Sequence, residues 1–331
     1  MTEITNPLNF ALIGAAGYIA PRHMKAIRDT GNRLLCALDP YDGVGILDSY
    51  FPEADFFIEP ERFDRHLDKL RRIVVPNKVV SDKKVDFVSI CSPNYMHDSH
   101  IRLALRNDAH AICEKPIVLN PWNLDALNEI ERETGKKVYT ILQLRLHPAI
   151  IALREQIQQG PWDKMYDLDL TYITSRGNWY YRAWKGDMSK SGGIATNIGV
   201  HFFDMLTWVF GDMKENIVHV MNDNKAAGLL KLEHANIRWF LSIDYNDIPE
   251  VVRKSGKRTY RSLRMGEQEI EFSDGFADLH TEVYREIIAG RGFGLRDAKQ
   301  SINIVCYIRH NQPVGLKGDY HPILKTIAKS L

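Results

Sequence analysis

Two short segments of the chain carry residues whose types and spacing could move a proton. Lys115 stands in a Glu-Lys-Pro triplet at the end of an apolar run, and a lysine in a partly desolvated cleft can act as acid, base or oxyanion partner. Asn197, His201 and Asp204 are spaced four and three residues apart, which places them on one helix face. His201 could remove a hydroxyl proton at neutral pH while Asn197 orients a substrate group.

Each of these residues also has a purely structural interpretation. Lysines are common on protein surfaces, and a lone histidine on an apolar helix is as often an interior residue with satisfied hydrogen bonds. An unperturbed lysine, with a pKa of about 10.4, is a poor base at pH 7, so Lys115 would need burial or a cationic neighbour. His201 needs no such change, and which of the two is the base stays open.

A third segment predicts a dinucleotide site. Residues 14–20 read Gly-Ala-Ala-Gly-Tyr-Ile-Ala, with Ala16 and Ala20 in two of the three places that glycine usually takes in this pattern. The segment follows an apolar run and opens a helical one, so a pyrophosphate would meet a helix N-terminus. Asp39 lies 22 residues after Gly17, where a carboxylate binds the ribose 2′-hydroxyl and repels a 2′-phosphate. The sequence therefore favours NAD over NADP.

Strands and helices must position these residues. Their sequence patterns alternate in the first half of the chain, whereas the second half has patterns typical of antiparallel strands. Short apolar runs alternate with helical patterns and predict a parallel sheet with helices on both faces. From residue 166 onward, polar and apolar residues alternate as in antiparallel strands with one wet face. We predict an α/β protein with a Rossmann domain over residues 1–147 and a second domain over 148–331.

Composition excludes several classes of protein. The chain has 331 residues, and 44% of them are apolar. With 43 Lys+Arg against 42 Asp+Glu, it lacks the excess of positive charge that is typical of proteins that bind a nucleic-acid backbone. No segment is long and apolar enough to span a bilayer. The four cysteines form no CxxC pair and lie in no ligand cluster. We expect free thiols in a reducing cytoplasm, no structural metal, and neither nucleic acid nor membrane as a partner.

The order of the three motifs resembles the Gfo/Idh/MocA superfamily of oxidoreductases over nearly the whole chain. The resemblance implies a Rossmann domain followed by an α/β domain with a large open, mostly antiparallel sheet. It implies NAD as the cofactor, and Lys115 and His201 as catalytic residues. Asn197 departs from the family, because many members carry Asp there, and this leaves His201 as the stronger candidate base.

Residues 9–23, 90–94 and 142–148, together with Asn197, resemble one branch of that superfamily, the WlbA/WbpB-type UDP-N-acetyl-2-amino-2-deoxyglucuronate 3-dehydrogenases of bacterial O-antigen biosynthesis. The branch implies oxidation of the 3-hydroxyl of a UDP-linked N-acetylglucosaminuronate to the 3-keto sugar. It also implies a homotetramer and, in some members, recycling of NADH by 2-oxoglutarate.

The expected site residues fall into three groups. We expect catalysis from Lys115, His201 and Asn197. Cofactor contacts are expected from Gly14, Ala16, Gly17, Tyr18, Ile19, Asp39, Ser92, Pro93, Asn94, His97, Glu114, Lys115 and Gln143. Substrate contacts are expected from Lys115, Gln143, Arg145, Arg176, Trp179, Tyr180, Lys185, Asn197 and His201. Arg145 is the preferred partner for the substrate carboxylate, because its planar fork offers bidentate geometry.

Two other functions fit the same residues. The chain could oxidise a different sugar or a cyclitol, which the branch-like segment around Gln143 and Arg145 disfavours. It could also bind NAD(H) as a non-catalytic regulator. The presence of both Lys115 and His201 disfavours the regulator, since a sensor has no use for a proton acceptor beside the nicotinamide.

Overall fold

The computed structural model of the chain describes residues 6–72, 83–161, 163–270 and 278–327. The chain forms two compact units. The first comprises Met1–Val118, Trp122–Gln143 and Asp278–Ala298, and the second comprises Leu119–Pro121, Leu144–Ala277 and Lys299–Leu331. The main boundary lies between Gln143 and Leu144, and the domain division after residue 147 stays a prediction. Among the described residues, no helix has both the length and the apolar composition needed to cross a bilayer.

Six parallel strands form the sheet of the first unit. They are β1 (Asn9–Ile13), β2 (Arg33–Leu38), β3 (Asp55–Phe57), β4 (Phe87–Ile90), β5 (His110–Cys113) and β6 (Val138–Thr140). The spatial order is β3-β2-β1-β4-β5-β6, and every neighbouring pair is parallel. This order confirms the predicted Rossmann sheet. It reverses between β1 and β4, where ligands of such sheets bind beyond the carboxyl ends of the strands.

Helices connect these strands, as the alternating pattern predicts. They are α1 (Ala20–Asp29), α2 (Val44–Asp48), α3 (Pro60–Arg72), α4 (His97–Arg106) and α5 (Pro121–Thr134). All five residues of β1 are buried, which is the reason for its uninterrupted apolar sequence. A cis peptide joins Lys115 to Pro116 just after β5.

The second unit is built on a mixed six-stranded sheet. Its strands are β7 (Tyr166–Thr174), β8 (Met213–Met221), β9 (Lys225–Leu232), β10 (Ala235–Ser242), β11 (Thr259–Met265) and β12 (Gln268–Ile270), in the order β12-β11-β7-β10-β9-β8. Only β7 and β10 are parallel among the neighbouring pairs. The predicted, mostly antiparallel sheet is therefore confirmed, with one parallel pair at its centre.

The helices outside the first sheet's connections follow the chain order. They are α6 (Pro148–Gln159), α7 (Trp179–Arg182), α8 (Met188–Ser191), α9 (Val200–Phe210), α10 (Glu250–Lys254), α11 (Leu279–Ile288), α12 (Leu295–His310) and α13 (Ile323–Ile327). In the second unit, α6 packs against α9. The ring of Phe203 on α9 meets that of Trp239 on β10 edge to face, with 5.3 Å between the ring centroids.

One segment lies in a different unit from the one predicted. The predicted second domain includes residues 278–298, but in the structure they belong to the first unit, where α11 packs against α1. The amide of Thr140 donates to the Phe293 carbonyl at 2.9 Å, so the segment after α11 pairs with the open edge of β6. Tyr284 of α11 stacks on Phe10 of β1, with 5.8 Å between the ring centroids. Apolar packing and an open strand edge thus bring the chain back to the first unit.

Gly228 provides a test of the packing in the second sheet. A Cβ atom there would overlap the Ile217 carbonyl of β8 and lie 2.6 Å from the Trp239 ring of β10. We expect Gly228→Ala to lower the free energy of unfolding by about 1–3 kcal/mol, measured by urea denaturation, because neither neighbour can move freely. Gly45→Ala in α2 is the control, since a Cβ there meets nothing within 4 Å. Equal stability of the two variants would contradict the described packing.

Candidate active site

The loop between β1 and α1 needs glycine at its first position. Gly14 has a φ of +90°, and a Cβ there would lie 2.7 Å from the carbonyl carbon of Cys91. Its amide donates to the Leu38 carbonyl of β2 at 2.8 Å, which fixes the turn at the end of the sheet. Both the backbone conformation and the close approach exclude a side chain. The loop that contains Gly17, Tyr18 and Ile19 therefore starts where the sequence predicts.

The first turn of α1 has the features of an anion site. No side chain caps the helix among the described residues, and Pro21 occupies its first turn. The amides of Ala20 and Arg22 already donate to the Gly17 and Ile19 carbonyls, at 3.1 and 3.0 Å, and Pro21 has no N–H. The helix dipole, which favours negative charge at this end, is therefore the feature of α1 that suits a pyrophosphate.

Asp39 follows β2 directly and is held by two backbone amides. Its Oδ2 accepts from the Ala16 amide at 2.9 Å, and its Oδ1 accepts from the Tyr41 amide at 2.9 Å. The residue is 6% exposed, so its carboxylate has a fixed direction. Each carboxylate oxygen keeps a second lone pair, which could accept from a ribose hydroxyl. Asp39 thus links the glycine loop to the position predicted for the ribose.

The residues after β4 form a buried bend. Ser92 and Asn94 are buried, and Pro93 lies between them. The Ser92 hydroxyl lies 2.8 Å from Nδ1 of His100. His97 is 1% exposed, and both of its ring nitrogens lie against backbone carbonyls. Both ring nitrogens of His97 thus face the protein, and its contact with the cofactor stays a prediction.

Gln143 offers a buried acceptor without a partner. The residue is 9% exposed, and its Oε1 has no hydrogen-bond partner among the described residues. A buried polar atom left in this state costs free energy unless a ligand or water satisfies it. Together with the loop at Gly14, the uncapped α1 and Asp39, this orphaned oxygen fits a bound dinucleotide.

The Glu114 carboxylate faces the interior of the first unit. Its Oε1 lies 3.0 Å from Nε2 of both His23 and His280, and its Oε2 accepts from the Lys115 amide at 3.2 Å. Burial would raise the pKa of Glu114, but hydrogen bonds and charge from the two histidines outweigh it and hold the pKa well below its usual range. Nδ1 of His23 in turn lies 2.8 Å from the Tyr284 hydroxyl. The sequence motifs revealed neither histidine.

His23, Glu114 and His280 also carry the atom types of a metal site. Their potential ligand atoms all lie within 4.8 Å of one another. Both nitrogen–oxygen separations are ordinary hydrogen-bond lengths, so a network without metal satisfies the three side chains. The expected absence of a structural metal stays a prediction.

The second glycine motif forms a tight bend before α9. Gly192 and Gly193 both have a φ of +79°, which favours glycine. Residues Ala195–Gly199 then form a π-helical turn, a geometry frequent at functional sites. Asn197 lies in this turn and His201 in the first turn of α9, and both are half-buried. Asn197 donates through Nδ2 to the Tyr180 hydroxyl at 3.0 Å.

Arg145 is paired inside the second unit. Its Nε and Nη2 donate to Asp204 at 3.0 and 2.8 Å, and the two residues are 6% and 1% exposed. This bidentate pair occupies the Nε–Nη2 edge of the guanidinium. Arg145 therefore has an internal partner, Asp204 on α9, that its sequence did not indicate, and its contact with a substrate carboxylate stays a prediction.

The remaining substrate-side candidates lie together in the second unit. Burial, and then the charge of Arg176, lower the pKa of Lys185. Nζ of Lys185 lies 4.3 Å from the Trp184 ring centroid and 5.9 Å from that of Trp179. The rings of Trp179 and Tyr180 meet edge to face at 5.9 Å. The structure therefore groups four predicted residues into one cationic and aromatic cluster, and Tyr180 links that cluster to Asn197.

The predicted residues are divided between the units. Lys115, which is half-buried, and Gln143 belong to the first unit with the cofactor candidates. Arg145, Asn197, His201 and the cationic and aromatic cluster belong to the second. The catalytic and ligand-binding roles of all these residues stay predictions.

Family comparisons agree with this arrangement. A profile of the oxidoreductase family's NAD-binding Rossmann fold matches residues 8–141. A profile of the same family's C-terminal alpha/beta domain matches residues 154–246. The fold and the dinucleotide loop define an NAD-binding oxidoreductase. The chain belongs to the Gfo/Idh/MocA family.

Among solved structures, the chain is similar to the WlbA (WbpB) dehydrogenase from Thermus thermophilus. The two are 49% identical with a TM-score of 0.90, over 96% of this chain and 100% of that one. That dehydrogenase has been crystallised with NAD and alpha-ketoglutarate, and with NAD and UDP-GlcNAcA. The predicted family, fold and cofactor are confirmed.

Curated relatives are more distant. D-glucoside 3-dehydrogenase of Escherichia coli (strain K12) is 27% identical over 207 residues, which cover 62% of this chain and 55% of that protein. Myo-inositol 2-dehydrogenase of Thermotoga maritima is 27% identical over 147 residues, which cover 43% and 41%. The chain spans about half the length of the curated relatives it matches.

The Asp39 geometry predicts a preference between cofactors. Wild-type protein should bind NADH at least about tenfold more tightly than NADPH, because the carboxylate accepts from the 2′-hydroxyl and repels a 2′-phosphate. Asp39→Asn should bring the ratio of the NADH and NADPH affinities closer to one, since the amide has no charge to repel the 2′-phosphate. Titration calorimetry with both nucleotides measures it. Tighter binding of NADPH to wild type would contradict the assignment.

The buried Arg145–Asp204 pair predicts a large stability effect. Asp204→Asn should lower the free energy of unfolding by about 3–5 kcal/mol, because it leaves the guanidinium buried without a matching charge. Urea denaturation measures the change. Glu250→Gln in the exposed Glu250–Lys254 pair is the matched control and should leave the midpoint unchanged. A similar small effect in both variants would show that Arg145 is not anchored by Asp204.

Proposed function

We propose that the protein oxidises the 3-hydroxyl of UDP-N-acetylglucosaminuronate to the 3-keto sugar with NAD. One observation carries the proposal: 49% identity over 96% of the chain to a dehydrogenase crystallised with NAD and UDP-GlcNAcA. The presence of Lys115 and of the Asn197–His201 segment supports it, because oxidation of an alcohol needs a proton acceptor and a group that orients the hydroxyl.

In the proposed reaction the sugar loses a hydride from C3 and a proton from the 3-hydroxyl, and a C=O bond replaces the C–O single bond. Bound NAD supplies the hydride acceptor. His201 takes the proton, since an imidazole is a competent base near neutral pH. Lys115 donates a hydrogen bond to the same oxygen. Asn197, whose amide is bonded to Tyr180, orients the sugar.

The substrate carries a diphosphate and a carboxylate, so it needs cationic partners. Arg176 and Lys185 supply them in this proposal, with Trp179 as a flat wall for a ring. Arg176 is exposed and accessible to a ligand, and burial, followed by the charge of Arg176, lowers the pKa of the half-buried Lys185. The negative charge of a ligand would offset that cost by favouring the charged form of Lys185. Arg145 is not among the proposed cationic partners of the substrate, because its Nε and Nη2 already donate to Asp204.

The proposal extends to the fate of the reduced cofactor. The alpha-ketoglutarate bound in the similar Thermus thermophilus dehydrogenase favours recycling of NADH by 2-oxoglutarate. A UDP-sugar substrate and free cysteines favour a cytoplasmic enzyme of O-antigen sugar biosynthesis. The homotetramer implied by the sequence resemblance stays a prediction, which light scattering of the purified protein tests.

A related activity is the alternative. The relatives named for a D-glucoside and for myo-inositol favour oxidation of another sugar or of a cyclitol. A substrate panel separates the two: UDP-GlcNAcA should give a stopped-flow rise at 340 nm, while free glucosides and myo-inositol should not. A faster reaction with myo-inositol would favour the alternative. Absence of any rise with every substrate would leave an NAD(H)-binding regulator.

His201 provides the sharpest test of the proposed chemistry. His201→Asn should lower the rate of UDP-GlcNAcA oxidation by about 100-fold or more, because a positioned base contributes that much. Single-turnover absorbance at 340 nm measures the step. His66→Asn on α3 controls for loss of an imidazole elsewhere and should react at the wild-type rate. Near-normal turnover of the His201 variant would reject its assignment as the base.

A further inference from the structure

We propose that buried groups fix the backbone around Lys115 on both sides, with His97 holding the Pro116 carbonyl and Glu114 holding the Lys115 amide. This inference rests on the catalytic role that the proposed function gives Lys115. It makes His97 and Glu114 positioning residues, and all four residues belong to the first unit.

His97 connects the ends of two neighbouring strands. Its Nδ1 lies 2.7 Å from the carbonyl oxygen of Pro116, after β5, and its Nε2 lies 2.9 Å from that of Ser92, after β4. Both carbonyls can only accept, so a neutral ring, with its single N–H, donates to one of them, and only a protonated ring donates to both. We assign the N–H to Nδ1, which makes the shorter contact, to Pro116. Burial lowers the pKa of His97, while its bonds to the two carbonyls oppose that shift. With 1% exposure, no bulk water competes for these contacts.

The hydrogen bonds of the Glu114 side chain follow from its charge. An ionised carboxylate only accepts, so Nε2 of His23 and Nε2 of His280 both donate to it. Burial lowers the pKa of His23, and in the neutral ring that this favours, Nδ1 would accept from the Tyr284 hydroxyl at 2.8 Å.

The Tyr284 oxygen in turn lies 2.6 Å from the Ser89 hydroxyl, which completes the chain of bonds. Two donors, from His23 and His280, meet Oε1 of Glu114 and hold the carboxylate in place. Its Oε2 then faces the Lys115 amide at 3.2 Å.

These contacts limit the freedom of Lys115 to its side chain. A lysine stem has several rotatable bonds, so precise placement of its amine requires a fixed backbone. Displacement of a reacting group by about 1 Å can cost about 100-fold in rate. Positioning through the flanking peptide groups is therefore sufficient to make residues away from the substrate important for turnover.

The test uses the full chain and two independent readouts. Acetic anhydride labels Lys115 relative to the exposed Lys254, and mass spectrometry of the peptides gives the ratio without substrate or cofactor. His97→Phe and Glu114→Gln should each change this ratio. They should also lower kcat for UDP-GlcNAcA at least about tenfold while KM and NADH affinity stay close to wild type. Tyr284→Phe, which keeps the apolar ring, should give a smaller change in the same direction.

His321→Phe is the matched control for losing a buried histidine. His321 is 4% exposed and forms hydrogen bonds to Thr171 and to the Ile323 amide in the second unit. It should lower thermal stability without changing the labelling ratio or kcat.

Several results would overturn the positioning role. One is an unchanged labelling ratio or an unchanged kcat in His97→Phe and Glu114→Gln. Another is a loss of NADH affinity alone in these variants, which would indicate that His97 and Glu114 contact the cofactor directly. One equivalent of transition metal in the purified protein would overturn the hydrogen-bond assignment at Glu114. If wild-type protein fails to oxidise UDP-GlcNAcA, the proposed function fails, while the labelling ratio still decides whether Lys115 is held.

Discussion

The ionised carboxylate of Glu114 lies in the interior of the first unit with almost no access to water. Burying such a charge costs several kcal/mol unless donors satisfy it. Here the donors come from His23 of α1, His280 of α11 and the Lys115 amide. This requirement ties a late segment of the chain to the Rossmann sheet, and the packing of α11 on α1 meets it.

A second buried charge organises the other unit. Asp204 on α9 lies one helical turn after His201 and binds the guanidinium of Arg145, which precedes α6. Because each charge is matched inside its own unit, neither depends on a ligand for its partner. The predicted catalytic residues Lys115 and His201 therefore each stand within a few residues of a buried, internally paired carboxylate. Such pairing favours fixed positions over adaptable ones.

The sequence predicted most of the first unit, because its signals are local. The apolar run of β1, the conformation required of Gly14 and the spacing to Asp39 each depend on nearby residues, and the structure has all three in place. The antiparallel character of the second sheet followed from alternation along single strands. The parallel β7–β10 pair could not, since neither strand's own pattern records its neighbour's direction.

The missed features all depend on contacts between distant residues. His280 meets Glu114 across 166 residues, and although Glu114 stands in the Glu-Lys-Pro motif, no motif marks His280. Asp204, the partner of Arg145, is 59 residues away in the sequence, so no local pattern links the two. The placement of residues 278–298 in the first unit likewise depends on the open edge of β6. Local patterns report which groups can do chemistry, whereas the fold decides which of them are already paired.

A crystal structure of the protein with NAD and UDP-GlcNAcA would test the central claim most directly. The distances to measure run from the sugar 3-hydroxyl oxygen to Nζ of Lys115 and to the nearer ring nitrogen of His201. We expect both to be hydrogen bonds of about 2.6–3.2 Å. The assignment of these two residues would be contradicted by a complex in which the sugar is well ordered beside the cofactor but either group lies beyond hydrogen-bond distance of that oxygen.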